Sequence, residues 1–402
     1  MVSAAVPTQE APTAIPSREE LVRRATGLAE TLRANTQWSE ENRRVHDETI
    51  AAAAEAGLFR LRTPKRYGGF EADTRTIFEV ATELGRVDGA ASWVTSVYWI
   101  PTWMTCLLPD PAQDEVFATP DVRICGTLSP SAMAEPAEGG IVVNGKWSFV
   151  SGALHAQWQQ IVAVLVHPEH GPVPIIGVVP IDDLKIVDDW HTSGLRGTGS
   201  VTTIAENVFV PGHRFVLLPA ILQGQHAGTA NAGSPIYRAP LLPVASASSA
   251  GTALGLAKGA LDAFLGRLPE RKITYTSYER QAEAPLTHHQ VATATMKIDQ
   301  AEFHGHRLTS LVDTKCADGT AWTVLERAQA RADLGAVCRL AKEAVDILQT
   351  ASGGSSIYHD VAIQRIHRDI AAVNLHALMH PDTNDELYGR VLCGLEPNTL
   401  YI

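Results

Sequence analysis

Gly145-Lys146-Trp147-Ser148-Phe149-Val150-Ser151-Gly152, followed closely by Ala156-Gln157-Trp158, is the stretch on which the reading of the fold turns. It lies between about Val122 and Val216, where the hydrophobic period is short. Gly139-Gly140 signals a turn, Ile141-Val142-Val143 is β-branched, and Asn144-Gly145 signals a second turn. Ile161 to Val166, Pro174 to Val179 and Val201 to Val210 are further short runs rich in β-branched residues. Together they predict a compact antiparallel β domain.

The flanks have a different period. Upstream, Leu21, Ala25, Leu28 and Leu32 recur every three or four residues, as one buried helix stripe requires. Ile50, Ala54 and Leu58 continue the pattern, and Gly57 stands where a helix would stop. After the turn residues Tyr67, Gly68 and Gly69, a further helix is expected from Thr74 to Arg86. Downstream, four amphipathic helices are expected over Ala245–Leu265, His289–Val312, Thr323–Thr350 and Ile363–Met379, an antiparallel bundle. The first is rich in small residues, which permits close packing. The stretch before the second, Ile273 to His289, reads as a loop and helix start with Thr287 as N-cap. The predicted class is α+β. A disordered leader spans 1–16, an N-terminal helical domain 17–120, a β-barrel domain 121–235, and a C-terminal four-helix bundle with its tail 236–402. No internal repeat is visible.

Composition narrows the function. The 402 residues are 45% hydrophobic and 19% charged, with a net charge of −11 and no basic stripe. Nucleic acid and acidic lipid are therefore set aside as partners. Five cysteines, far apart and never in a CxxC pair, argue against a disulfide framework and against a zinc site. The start has no apolar core behind a basic cluster, so it is not a secretory signal. No run of about 18 uncharged apolar residues offers a membrane span. A cytoplasmic enzyme is expected.

The order helices, β domain, bundle resembles the plan of the acyl-CoA dehydrogenase family, and local strings support the likeness. Pro64-Lys65-Arg66-Tyr67-Gly68-Gly69 looks like that family's turn between N-terminal helices. Gly145 to Gly152 with Ala156-Gln157-Trp158 resembles its strand beside the flavin ring. Trp190 with Gly194-Leu195-Arg196-Gly197-Thr198-Gly199-Ser200 resembles the next strand-turn, and Gly353-Gly354 matches a glycine pair near the end of the third bundle helix. The departure is equally informative. The dehydrogenases take a proton with a glutamate in a Glu-Gly-Thr string. The corresponding stretch here is Arg368-Asp369-Ile370-Ala371-Ala372-Val373-Asn374-Leu375-His376-Ala377, with a histidine in place of the carboxylate. The close, Leu387-Tyr388-Gly389-Arg390-Val391-Leu392-Cys393-Gly394-Leu395-Glu396-Pro397, resembles the tail of flavin-dependent hydroxylases on this fold.

That resemblance implies the oxygenase component of a two-component flavin monooxygenase. Such a protein uses reduced flavin (FADH2 or FMNH2) and O2, through a C4a-(hydro)peroxide, to hydroxylate an aromatic or polycyclic molecule in natural-product biosynthesis or aromatic catabolism. Attack on nitrogen or sulfur is the alternative; a dehydrogenase or a non-catalytic flavin-binding scaffold are further rivals. Gly194-Leu195-Arg196-Gly197-Thr198-Gly199 has the wrong spacing for a pyridine-nucleotide fingerprint. Reduced flavin is therefore expected from a separate NAD(P)H:flavin reductase. A homo-oligomer, a tetramer in the usual case, is expected because this fold completes its flavin site across subunits.

Site residues follow by the same resemblance. Phe149 would lie against the isoalloxazine, and Ser151 would place its hydroxyl near N5, where it could equally be a strand-end serine satisfying local backbone. Thr127 and Ser129 are candidates for the pyrimidine edge, or an ordinary turn. Arg196 with Gly197, or Arg271 and Arg280 from a neighbouring subunit, are candidates for the phosphate tail, with Gly353 and Gly354; the arginines could equally be surface charges. His376 is the candidate for proton handling, its ordinary pKa of about 6.5 suiting it to give or take a proton near neutrality. His380 is expected at the surface. Related hydroxylases often carry a second site histidine after the Ser-Trp-Val stretch, whereas here Ser92-Trp93-Val94 leads to Trp99-Ile100-Pro101-Thr102-Trp103. Trp93, Tyr98, Trp99 and Trp103 are instead candidates for an apolar pocket, or for core packing.

Overall fold

The computed structural model describes residues 15–167, 171–222 and 224–402; most of the expected leader, residues 1–14, lies outside them. Helices come first: α1 Arg18–Gly27, α2 Ala29–Asn42, α3 Asp47–Glu55, α4 Thr74–Val87, α5 Gly89–Thr105 and α6 Asp110–Val116. Strands follow: β1 Ile124–Gly126, β2 Ala132–Ala137, β3 Gly140–Val150, β4 Trp158–His167, β5 Gly171–Pro180, β6 Lys185–Val187, β7 Val201–Pro211 and β8 Phe215–Leu217. Helices then return as α7 Leu218–Leu222, α8 Leu241–Arg267, α9 Pro285–Asp318, α10 Val324–Ala351, α11 Ala362–Val373 and α12 Pro381–Leu392. Side-chain caps fix several starts. Ser17 accepts from the Glu20 amide, Asp73 from Thr76 and Asp88 from Ala91, while Thr323 and Glu326 form a reciprocal capping box.

The fold class stands, and several details differ from expectation. Asn144-Gly145 is not a turn. The hairpin turns once, at Gly139 (φ 77°), and β3 runs on through Asn144 with a bulge, its register on β7 slipping between Val143 and Gly145. The sheet is mixed rather than antiparallel. Its order is β6-β7-β3-β2-β4-β5-β8, with β1 beside β4, and both β1 and β2 run parallel to β4. Direction explains this: β2, β3 and β4 alternate, so β4, paired to the free edge of β2 rather than to β3, must run the same way as β2. Among the described residues β6 and β8 end the hydrogen-bonded path, so the sheet is open rather than a closed barrel.

The helical corrections are local. Pro285 begins α9 with Ala284 as its cap residue, and Thr287, buried in the first turn, caps nothing. The helix expected to reach Met379 stops at Val373: Asn374 turns its side-chain amide back onto the Ile370 carbonyl (3.0 Å), and the chain restarts as α12 at Pro381. The bundle of α8, α9, α10 and α11 thus gains α12, held to α10 by Arg331 donating to Asn384 (2.9 Å).

Helix α8 is clamped against α4 backbone to backbone. A Cβ on Gly251, Gly255 or Gly259 would collide with the carbonyl oxygen of Phe78, Thr82 or Arg86, so the two four-residue rows interlock. Ser92, at the start of α5, adds a 2.8 Å hydrogen bond to Thr252 on the same face of α8. Gly255→Leu should therefore destabilise by at least about 1–3 kcal/mol, the usual cost of overpacking. Chemical denaturation measures it, and an unchanged midpoint would refute the interlock.

Candidate active site

Strand β3 breaks its ladder just where the opening stretch ends. Its register on β7 slips again between Trp147 and Val150, and Phe149 takes a φ of 62°, a left-handed conformation that bulky residues avoid. The break throws the Phe149 ring out of the sheet. It is 69% exposed and meets Trp190 edge to face, with ring centres 5.9 Å apart. An exposed aromatic held on strained backbone is a platform for a planar ligand.

Ser151, two residues on, is buried. Its hydroxyl accepts from the Trp93 indole N–H (3.0 Å) and lies 2.6 Å from the Ser200 hydroxyl. Gly152 follows with φ 76°; its carbonyl accepts from the Tyr98 hydroxyl (2.6 Å), and a Cβ there would strike the Tyr98 ring. Helix α5 thus lies beneath the end of β3 and holds it through two aromatic side chains.

His376 sits in the turn after α11, its ring packed edge to face on Trp93 with centres 5.3 Å apart. The residue is solvent-exposed, although many protein atoms crowd the ring. Burial pushes its pKa down to about 4, so the imidazole is neutral at pH 7. Nδ1 accepts from the Leu378 amide at 3.3 Å, a long contact that favours the tautomer carrying its proton on Nε2. A neutral imidazole open to solvent beside Trp93 can offer that proton to a guest's oxygen. On tautomer exchange it can offer a lone pair instead.

The structure therefore brings Phe149, Ser151, Trp93 and His376 into one neighbourhood. Of the two roles expected for the aromatics of α5, Tyr98, Trp99 and Trp103 take that of core packing. Trp99 and Trp103 have no exposed surface, and their indoles donate to the Leu58 and Ile236 carbonyls (both 2.7 Å); Tyr98, 1% exposed, is spent on Gly152. Their apolar bulk and their single polar atoms are both satisfied inside, which makes them core. Thr127 accepts from the Ser129 amide (3.4 Å) in a local turn, and the Tyr401 hydroxyl donates to Leu128 between them (3.0 Å), tying the chain's end to this loop. The Arg196 guanidinium donates to the Glu40 and Thr192 carbonyls (3.2 Å each) and Gly197 packs on Ala90 and Ser39, so this pair is engaged in joining the turn to α2. Arg271 and Gly353 do meet: Arg271 donates to the Ser352 carbonyl (2.6 Å) and the Ser355 hydroxyl (2.7 Å), beside Gly353. Gly354 opens onto free space, while Arg280 is exposed and paired with Glu283.

Sequence reasoning missed Asp369. It lies on the buried face of α11 among Ile363, Ile366, Ile370 and Val373, and its carboxyl accepts from the Leu195 amide (2.6 Å). A carboxylate inside an apolar helical stripe was the available signal. This acid is buried and engaged by a backbone amide, so it does not restore a dehydrogenase base.

A flavin fits these residues. The exposed Phe149 ring, braced edge-on by the half-buried Trp190, offers one flat apolar face, with the Ser151 hydroxyl two residues on. Gly353, at φ 66° and ψ −176°, holds a conformation open only to glycine and leaves room beside the Arg271 cation.

Comparison with known proteins agrees. The family "Acyl-CoA dehydrogenase, N-terminal domain" matches residues 17–115 and "Acyl-CoA dehydrogenase, C-terminal domain" matches 247–381. The chain is 32% identical over 391 residues to the FADH(2)-dependent resorcinol hydroxylase, oxygenase component, of Rhizobium sp. strain MTP-10005, covering 95% of this chain and 96% of that one. It is 30% identical to the flavin-dependent monooxygenase oxygenase subunit HsaA of Rhodococcus jostii, covering 93% and 98%. Among solved structures, XiaF from a Streptomyces species, in complex with FADH2 and glycerol, superposes with a TM-score of 0.90 at 30% identity, covering 95% and 97%. The chain belongs to the acyl-CoA dehydrogenase family, in its branch of flavin-dependent monooxygenase oxygenase components. It is a hydroxylase-type enzyme that works with reduced flavin and O2.

The depressed pKa of His376 has a consequence for acid stability. Its folded value, about 4, is below the unfolded value of about 6.5, so between those limits the unfolded chain binds the proton first and stability falls as pH drops. His376→Gln should flatten the Tm-versus-pH curve over that window. An identical acid slope in the variant would show that the ring is not desolvated.

Proposed function

We propose that this oxygenase hydroxylates a small phenol-type aromatic ring, and that His376 controls the proton of the substrate's ring hydroxyl. Bound in its reduced form, the flavin supplies the chemistry that activates dioxygen and passes one oxygen atom to the substrate. The protein's contribution is position, dryness and proton control. Phe149 and Trp190 would hold one face of the ring system and Ser151 would meet N5. Trp93 would form the wall between that hydroxyl and His376. The observation that carries this reading is the contact chain itself: a neutral, solvent-exposed histidine packed edge to face on the indole that donates to Ser151. The relatives' substrates, resorcinol and p-hydroxyphenylacetate among them by name, are of the kind such a site suits.

Two partners belong to the same proposal. The chain offers no pyridine-nucleotide fingerprint, and its relatives are oxygenase components, so a separate NAD(P)H-dependent reductase would supply the reduced flavin. Copies of the chain would assemble, dimers of dimers in the usual form for this fold. Helix α9 leaves Met296 and Phe303, seven residues apart and hence on one face, 58% and 61% exposed. Arg271 and Gly353 meet just past the end of α10, whereas His376 follows the far end of α11, a helix of 12 residues and about 18 Å at ~1.5 Å per residue. A flavin tail held by Arg271, Gly353 and Gly354 would thus belong to a ring seated in a neighbouring copy.

Chemically reduced FAD or FMN, oxygen and a panel of phenols test the reaction, scored as hydroxylated product against hydrogen peroxide. His376→Ala should lower product about 100-fold or more, the usual contribution of proton transfer by a placed side chain, while oxygen is still consumed as peroxide. His376→Asn, which can donate but cannot take a proton, separates the two roles of the ring. Undiminished product from His376→Ala would remove it from the reaction. Phe303→Glu should shift the mass measured by light scattering below that of the parent and weaken flavin binding with it; an unchanged mass would exclude this face from the assembly.

A further inference from the structure

A line of hydrogen bonds runs from α11 to Ser151, and its directions are fixed by chemistry. It begins at Asp369, whose Oδ1 accepts from the Leu195 amide at 2.6 Å. Leu195 has a φ of 49°, so its peptide is turned out of the ordinary path of a strand and offers its carbonyl to the next turn. The Thr198 hydroxyl contacts that carbonyl at 2.8 Å. A carbonyl can only accept, so Thr198 must donate. The Ser200 hydroxyl, 2.7 Å from Thr198 Oγ1, must then donate to it, and Ser151, 2.6 Å from Ser200, must donate in turn. Trp93 donates into Ser151 from the other side, at 3.0 Å. Every proton in the row is assigned, and what remains on Ser151 is one lone pair.

That polarity matters for a reduced flavin. Its N5 carries a hydrogen, so the partner it needs is an acceptor. A serine free to rotate would present its own proton about as readily; a serine whose proton is held by Ser200 cannot. We propose that Asp369 is a positioning residue, which through Leu195, Thr198 and Ser200 holds the Ser151 hydroxyl as a hydrogen-bond acceptor toward flavin N5. The inference rests on the reading of Ser151 at N5 given above and adds what enforces it.

The mounting of Asp369 supports the role. Arg368 donates to the Ser193 carbonyl, and Gly194 lies so close to the Arg368 carbonyl that a Cβ would collide with it. Residues 193 to 195 are thus gripped from both sides by two successive residues of α11. Asp369 Oδ2 points to the first turn of α5, 3.4 Å from the place of a Cβ on Gly89, and α5 carries Trp93. The row therefore closes into a ring: α11, the Leu195 turn, Ser200, Ser151, Trp93, and His376 back at the end of α11. Burial, with Glu40 and Asp88 nearby, pushes the Asp369 carboxyl up to about 7 against the opposing pull of Arg365. What the turn requires of Asp369 is hence an oxygen lone pair more than a charge.

The test separates this inference from the one beneath it. Four variants are compared with the parent, in the full chain with its oligomeric state unaltered: Ser151→Ala, Thr198→Val, Asp369→Leu and Asp369→Asn. Two quantities are read, the ratio of hydroxylated product to hydrogen peroxide per flavin oxidised, and the Kd for reduced flavin measured anaerobically, which should rise when the bond to N5–H is lost. Folded protein is isolated by gel filtration and kept in excess over reduced flavin, so that free flavin adds no peroxide of its own. Thr198→Val keeps shape and loses only the hydroxyl. It should lower the ratio about three- to tenfold, the scale of one net hydrogen bond, and Asp369→Leu should do the same or more. Asp369→Asn, which keeps an acceptor for Leu195, should stay within about twofold of the parent. The double variant Ser151→Ala/Thr198→Val should be no worse than Ser151→Ala alone, because the row acts only through Ser151. A parental ratio and Kd in Thr198→Val overturns the inference even if Asp369→Leu does not fold. So does an Asp369→Asn variant as uncoupled as Thr198→Val, or a double variant worse by the product of the single effects. A parental ratio in Ser151→Ala would instead strike at the reading of Ser151 itself, and the inference would fall with it.

Discussion

The indole N–H of Trp93 reaching the Ser151 hydroxyl is the junction between the helical and sheet parts of the site. Helix α5 is arranged around it. Asp88 caps its start, Ser92 bonds to Thr252 on α8, Tyr98 holds the Gly152 carbonyl, and Trp99 holds the Leu58 carbonyl. Trp93 and Tyr98 thus spend their single polar atoms on the end of β3, and Trp99 spends its own on the segment that follows α3. Such a bond adds only about 0.5–1.5 kcal/mol net, but a buried partner left without it costs about 1–3 kcal/mol. The geometry is therefore held less by attraction than by the penalty for leaving any one of these atoms unmatched.

Desolvation gives the site its chemical character. One cause moves two groups on and beside α11 in opposite directions: His376 is pushed down to about 4 and Asp369 up to about 7, and in both cases the uncharged form gains. The neighbourhood of Ser151 consequently holds aromatic faces, hydroxyls and a neutral imidazole.

Much of this was legible in the residues. The alternation of periods separated helices from strands, and small residues in α8 announced its close approach to α4. His376 stood out as the departure from a carboxylate. What could not be read was anything set by long-range geometry. Asn144-Gly145 has the composition of a hairpin turn and becomes a bulge because β7 continues the pairing on its other side. Trp99 and Trp103 look like pocket aromatics, and only the positions of the Leu58 and Ile236 carbonyls, 41 and 133 residues away along the chain, make them core. The β2–β4 pairing depends on which edge of β2 remains free, which no local pattern encodes. Asp369 alone was readable in principle, as an acid on an otherwise apolar face.

The interlock of α8 with α4 bears on how a guest reaches this interior. Where Gly251, Gly255 and Gly259 meet three carbonyl oxygens, main chain touches main chain, and no rotamer stands between the helices to swing aside. Such a joint cannot breathe by side-chain rearrangement, so the two helices behave as one rigid plate with α5 fastened to it. Passage in and out then falls to segments held by a few terminal bonds, such as the last residues of the chain, whose Tyr401 latches onto Leu128 and whose main chain is gripped by Arg331.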